Sequence, residues 1–487
     1  MNTSKCYQLL LLFNKKELNN FEDFVKSPFF NKNHTIILLY QWLKKYLEHP
    51  TRKHETLHSY DAFRYLFPDK ETSQNTLDKK SVQTFNILLN KLTELVIKFI
   101  QWKKLQVQET YAQHLVLEEF LDKRAIKLFE LYYNKYYRGK DDDSRKINSN
   151  RHYDNFLLEY DYSRWNLLQR DNLHKNNNLQ AVSDNLALYY LTTQLQLTYE
   201  MLTLRHLYKI SYNLESLPHL LKMAALPEFR DEPLLQFYLN AIKMVTEEKP
   251  AYFEHLKYLL TTYEAGISKS VQSDMYILAT NFCTRRIIAG ESNYLEELFR
   301  LYQTMSVKNL LIEGKYIPID KMKNVISVGC KLKHFEWTKE LIEQNQERIA
   351  PTLRDSVYHF GMGAIHFYQN DLKTAVSHFI RVEDIGINYT IDGKFLMMKA
   401  YYDLDEDFSE RTERILLSFM AFIKQNRIIS AVNKQGYINF TKTLHSLYRI
   451  KHSVGKRSLE HVENRLHNYE RTNDKKWLLE KIGVLKC

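Results

Sequence analysis

Residues 357–384 read VYHFGMGAIHFYQNDLKTAVSHFIRVED, and their spacing predicts two helices joined by a turn at Gln369-Asn370-Asp371. Gly363 falls on the first helix, and Ala375, Phe379 and Val382 fall on the second. A small residue on each helix lets the pair approach closely, while the aromatic ring plugs the groove toward the next pair. Looser copies lie on either side. Asn281–Met305 turns at Gly290-Glu291, with Leu295 and Phe299 on its second helix; Lys323–Arg348 turns near Lys333-His334, with Thr338 and Ile342; Phe395–Lys424 turns at Asp405-Glu406-Asp407.

The rest of the chain agrees in kind. The first 265 residues contain one glycine, Gly139, and between Pro68 and Pro218 no proline occurs. Tight β-turns and phosphate-cradling loops need glycine where the backbone takes positive φ or approaches a ligand closely, so dinucleotide and P-loop architectures are excluded. Gly 12 and Pro 9 make about 4% of residues against roughly 12% in an average protein. The fold class expected is all-α, with stacked antiparallel hairpins.

Helical periodicity is read over 5–26, closing at Ser27-Pro28, then over 35–47, 56–66, 81–104, 111–138, 152–170 and 179–212. Gly139 to Arg145 is the most polar stretch of the first half and is expected to be a loop. Pro218, Pro227 and Pro233 punctuate the segment before Leu234. These changes suggest an N-terminal bundle (1–110), central long helices (111–233), a repeat region (234–430) and basic terminal helices (431–487).

The 357–384 unit resembles a tetratricopeptide repeat, with its small, aromatic and small positions matched by Gly363, Ala375, Phe379 and Val382, and with His366 where the family usually has tyrosine. The anchors Leu295, Thr338 and Ala375 are 43 and 37 residues apart, looser than the family's ~34. The resemblance, over about 270–425, implies a right-handed superhelix whose concave face is lined by the first helix of each hairpin. Lys323, Ser327, Lys331, Phe360, Phe367 and Tyr368 would then face the groove and hold an extended segment or helix of another protein.

Over its whole length the chain also resembles a family of uncharacterised bacterial helical-repeat proteins. The residues that carry this are Glu17-Leu18-Asn19-Asn20-Phe21, Ser27-Pro28-Phe29-Phe30-Asn31, Phe63 to Pro68, and Leu186 to Leu191 with Tyr189-Tyr190. This second resemblance implies the fold and no activity.

Two other functions compete. The net charge is +11, and from Lys434 onward twelve basic residues face five acidic ones, so most of the surplus sits there. Arg449, Lys451, Lys456, Arg457, Lys475 and Lys476 are the candidate phosphate contacts of a nucleic-acid-binding surface. His54-Glu55-Thr56-Leu57-His58 matches the zincin string, in which His54 and His58 would ligate zinc and Glu55 would activate water. Arg52 and Lys53 precede it, Pro50 places it in a first helical turn, and no His-x-x-Gly-x-x-His extension follows, so a chance match is expected and no catalytic, cofactor or metal residue is assigned.

Gly361 and Gly363 lack the third glycine of a dinucleotide loop and are read as packing positions. The tyrosine pairs at 132–133, 136–137 and 401–402 are read as groove fillers. Cys6, Cys283, Cys330 and Cys487 are far apart, without a Cys-x-x-Cys pair, so disulfides and a cysteine metal cage are not expected. No window reaches the ~18 apolar residues of a membrane span, and a soluble, cytoplasmic protein is expected.

Overall fold

The computed structural model describes residues 3–48, 57–68, 76–138, 147, 150–169, 178–208, 210–383, 386–404, 410–427, 429–452 and 458–486. Among these, α-helices dominate and no strand forms; outside helices, isolated bridges join Ile147 to Ile267 and Glu313 to Tyr316. The chain divides into two compact units, Met1–Asp141 with Tyr153–Asn185, and Asp142–His152 with Leu186–Cys487. These divisions follow contacts, whereas the four sequence blocks were drawn at changes of composition.

The first unit holds α1 (Lys5–Leu10), α2 (Lys15–Lys26), α3 (His34–Leu47), α4 (Ser59–Leu66), α5 (Lys79–Val107), α6 (Glu109–Asp122), α7 (Ile126–Tyr133) and most of α8 (Arg151–Leu168). The periodic stretch 5–26 is two helices, not one. Asn14 caps α2: its side chain accepts from the Glu17 N–H and the Glu17 carboxylate accepts from the Asn14 N–H, both at 2.9 Å. This reciprocal pair satisfies backbone donors only at a helix start, so it interrupts an apolar period that by itself reads as continuous. Phe13, Phe21, Phe24 and Phe99 interlock in the core of α1, α2 and α5, and the Tyr40 hydroxyl donates to the Leu18 carbonyl at 2.6 Å. The expected loop at 139–145 lies outside the described residues.

α9 (Leu179–Tyr208) is followed in the second unit by α10 (Leu217–Ala224), α11 (Pro233–Thr246), α12 (Pro250–Tyr263), α13 (Lys269–Ile288), α14 (Tyr294–Val307), α15 (Ile319–Lys331), α16 (Phe335–Gln344), α17 (Arg354–Tyr368), α18 (Leu372–Phe379), α19 (Ile387–Asp403), α20 (Glu410–Gln425), α21 (Ala431–Lys451), α22 (Leu459–Asn468) and α23 (Lys475–Lys486). Short connections pair neighbours in sequence: α11 with α12, α13 with α14, α15 with α16, α17 with α18, α20 with α21. First helices also meet, since α17 packs against both α15 and α19.

Three of these hairpins turn by the same device. Gly290, Lys333 and Asn370 each take a left-handed φ, of 101°, 63° and 67°. The next residue then donates back to a carbonyl five positions earlier: Glu291 to Arg286, His334 to Gly329 and Asp371 to His366, at 2.9 to 3.0 Å. That bond is the signature of a Schellman C-cap, which satisfies an orphan carbonyl and reverses the chain.

The small residues do what close packing requires of them. A Cβ added at Gly363 would lie 2.8 Å from two ring carbons of Phe379, and one at Gly329 would run into the hydroxyl of Thr338. Gly361 likewise faces Ile342 and Ile326. Gly361 and Gly363 therefore sit mid-helix at helix contacts, as packing positions. Tyr401 and Tyr402 are buried, and Tyr132 packs on Tyr136 with ring centroids 4.4 Å apart.

Candidate functional site

A cavity of 740 Å³ opens in the second unit, walled by α13, α14, α15, α17, α19, α21 and α23. From α15 come Lys323, Ser327 and Lys331, which recur every four residues and so share one helical face. From α17 come Phe360, Ala364 and Tyr368 at the same interval; from α19, Asp392, Phe395, Leu396 and Lys399. The far wall is Asn473, Asp474, Lys476, Trp477 and Glu480.

Five of the six expected groove residues thus converge on one cavity. Phe360 lines the cavity while almost wholly enclosed by its neighbours. It is 1% exposed, with its ring 4.8 Å from that of Tyr389 and 6.3 Å from that of Phe379, because α17 is covered by helices on several sides. Phe367 does not line the cavity; its ring takes the Lys399 ammonium at 5.6 Å.

Lys399 is the most constrained charge in the site. It is 7% exposed, its Nζ donates to Asp474 Oδ2 at 2.6 Å, and the ammonium lies 4.8 Å from the Trp477 ring and 6.0 Å from the Phe395 ring. A carboxylate and aromatic faces together replace the water a buried cation loses. Two contacts hold that wall in place: Asn439 donates its side-chain amide to the Arg471 carbonyl, and the Asn473 N–H donates to the Gly436 carbonyl. Lys323 pairs with Asp392 across α15 and α19. Burial raises the Tyr368 and Tyr437 hydroxyls, the latter to about 12, so both stay protonated donors at neutral pH. Lys331 and Lys476 carry no ion pair within 4 Å among the described residues and present charge to whatever enters. The cavity combines apolar side chains with tyrosine hydroxyls and lysine ammonium groups.

Asp392, Lys399, Asp474 and Trp477 were missed from sequence. Asp392 and Lys399 are seven residues apart on one helix, a detectable signal; Asp474 and Trp477 arrive from some 75 residues further along the chain.

The other sequence candidates are placed as follows. His58 is exposed at the residue before α4, ahead of the helix instead of within it, and His54 lies outside the described residues. Among the described residues, no group of three or more His, Cys, Asp or Glu side chains is arranged to hold a metal ion. Burial pushes the thiols of Cys6, Cys283 and Cys330 up to about 12, which removes thiolate reactivity. Of the basic C-terminal residues, Lys451 donates to the Tyr402 carbonyl, Lys475 donates to the His467 carbonyl and Lys476 lines the cavity; Lys456 and Arg457 lie outside the described residues. No described helix is long and apolar enough to cross a membrane.

Compared with known protein families, with curated proteins and with solved structures, this chain finds no match.

Proposed function

We propose that this chain is a non-catalytic binding scaffold, a tetratricopeptide-like solenoid whose groove holds an extended segment or helix of another protein. The observation that carries the reading is the convergence of Lys323, Ser327, Lys331, Phe360 and Tyr368, from successive first helices, on a cavity of 740 Å³. The solenoid part is supported by the recurring Schellman turns at Gly290, Lys333 and Asn370, whose spacing repeats that of Leu295, Thr338 and Ala375. Stacked hairpins place equivalent side chains at regular intervals along a groove, which suits a linear ligand.

The test is a photocrosslinking amino acid placed at Ser327 or Lys331, with Lys339 on α16 as the exposed control position. One defined protein crosslinked at 327 and 331 and absent at 339 is the expected result. Equal labelling at all three positions, or nucleic acid in place of protein, overturns it. The competing reading is nucleic acid held by the basic C-terminal helices, where Lys451 and Lys475 each donate to a backbone carbonyl and keep their charge.

A further inference from the structure

The best-formed hairpin carries a histidine cluster on the side of α17 that the cavity does not use. His359 on α17 and His378 on α18 face each other with Nδ1 atoms 2.8 Å apart. A neutral imidazole has one N–H and one acceptor nitrogen, so at this distance one ring donates and the other accepts, and the contact holds a single proton. A second proton would aim one N–H at another. The surroundings make that second proton costly. His359 is 7% exposed, and His366 stacks on His378 with centroids 5.6 Å apart and planes 13° from parallel.

We propose that the His359–His378 contact makes the α17–α18 hairpin an acid-sensitive hinge, in which uptake of a second proton separates the two helices and loosens the cavity wall that α17 provides.

The charges around the pair favour that outcome. Burial first, and then the positive charge of His359, His366 and Arg381, holds His378 below the ordinary histidine range. The nearby carboxylates stand behind the other two rings: Asp355 Oδ1 is 3.6 Å from His359 Nε2, and Asp371 Oδ2 is 3.2 Å from His366 Nδ1. Among the described residues, α15, α16 and α19, which also pack on this hairpin, add no charge to those acting on His378. Tyr358 completes the surroundings, edge-on to both rings.

The direction follows from linkage. A base whose folded pKa is depressed binds more protons when released, so stability falls as pH drops below the ordinary histidine value of ~6.5 and levels off below the folded value. For one proton, the opening constant of the hairpin rises by up to about tenfold per pH unit in that window. Phe360, Ala364 and Tyr368 on α17 line the cavity, so ligand release in acid is the consequence; that consequence rests on the binding function proposed above, whereas the hinge does not.

Hydrogen exchange of the full chain, read by mass spectrometry between pH 7.5 and 5.0 and corrected for intrinsic exchange, tests the hinge without any ligand. Peptides from 354–379 are expected to open more as pH falls below 6.5, by up to about tenfold per pH unit before the rise levels off, while peptides from α11 and α12 stay level. In His378→Gln, which keeps a polar neutral partner, the slope is expected to vanish; His359→Gln is the second variant should the first fail to fold. A wild-type slope no steeper than that of α11 and α12, or an equal slope in the folded variant, overturns the proposal. Because no partner enters the measurement, failure of the hinge and failure of the binding function are read separately.

Discussion

Gly363→Ala adds one methyl group at the tightest helix contact of the 357–384 hairpin. The new Cβ would lie 2.8 Å from two carbons of the Phe379 ring and 3.2 Å from a third, so the ring must retreat by about half an ångström or more to reach ordinary contact. Phe379 is buried and packed near Phe360, and overpacking of this kind costs ~1–3 kcal/mol. Alanine recovers ~1 kcal/mol of helix propensity, leaving a net loss of about 1 kcal/mol, or roughly fivefold faster local opening. Gly483 supplies the control. It also sits inside a helix, α23, but a Cβ there meets nothing within 4 Å, so Gly483→Ala is expected to stabilise by ~0.5–1 kcal/mol. Native-state hydrogen exchange separates the two, with faster opening in 354–379 for the first variant and slower opening in 475–486 for the second. Adding Phe379→Leu to Gly363→Ala is expected to restore about 1 kcal/mol through non-additivity. Gly363→Ala that slows exchange as much as Gly483→Ala refutes the close approach.

Lys333 holds φ 63° at its turn, strain that an L-residue pays at ~1–2 kcal/mol. Lys333→Gly is therefore expected to raise the melting temperature, with a net gain of ~0.5–1 kcal/mol after glycine's entropy, and a lowered melting temperature counts against the turn geometry. In the first unit, burial lifts the Asp161 carboxyl to about 6, partly offset by His114 at 2.6 Å. A folded value above the ordinary 3.8 means the folded chain holds the extra proton between those limits. Asp161 thus favours the fold below pH ~4, and this contribution, on the order of 3 kcal/mol, is lost as pH rises through about 6. Asp161→Asn is expected to flatten the stability profile between pH 4 and 6 and to match or exceed wild type at pH 7; an unchanged slope in urea titrations speaks against it.

Helix content was legible in this sequence because it rests on local signals: glycine poverty, three-and-four spacing, and prolines at helix ends. The break at Asn14 was missed because Leu9, Leu12, Phe13 and Leu18 keep a helical period across it, and the cap that interrupts them is a polar pair that periodicity ignores. Half of the cavity was legible for the same reason as the helices, since Lys323, Ser327 and Lys331 mark one face of one helix. The other half was hidden because Asp474 and Trp477 reach Lys399 through tertiary packing alone. The near-complete enclosure of Phe360 was not legible, because a periodic position shows which helical face a residue occupies, and a helix covered on several sides buries more than one face. The histidine cluster left a faint trace: His359 and His366 lie seven residues apart on one face, and His378 joins them only when the hairpin closes.

The wall formed by Asn473, Asp474, Lys476, Trp477 and Glu480 bears on how the protein is made. During synthesis α13 to α18 emerge and pair with near neighbours, each hairpin needing only residues already outside the ribosome. The cavity has to wait for some hundred residues more, until α23 folds back beside α19 and Lys399 meets its aspartate. A chain cut short before Asn473 would keep the earlier helices of the second unit and expose a lysine among aromatic rings, an apolar surface of the kind chaperones and proteases inspect. On the binding function proposed above, the site is completed late, only once the last described helix of the chain is in place.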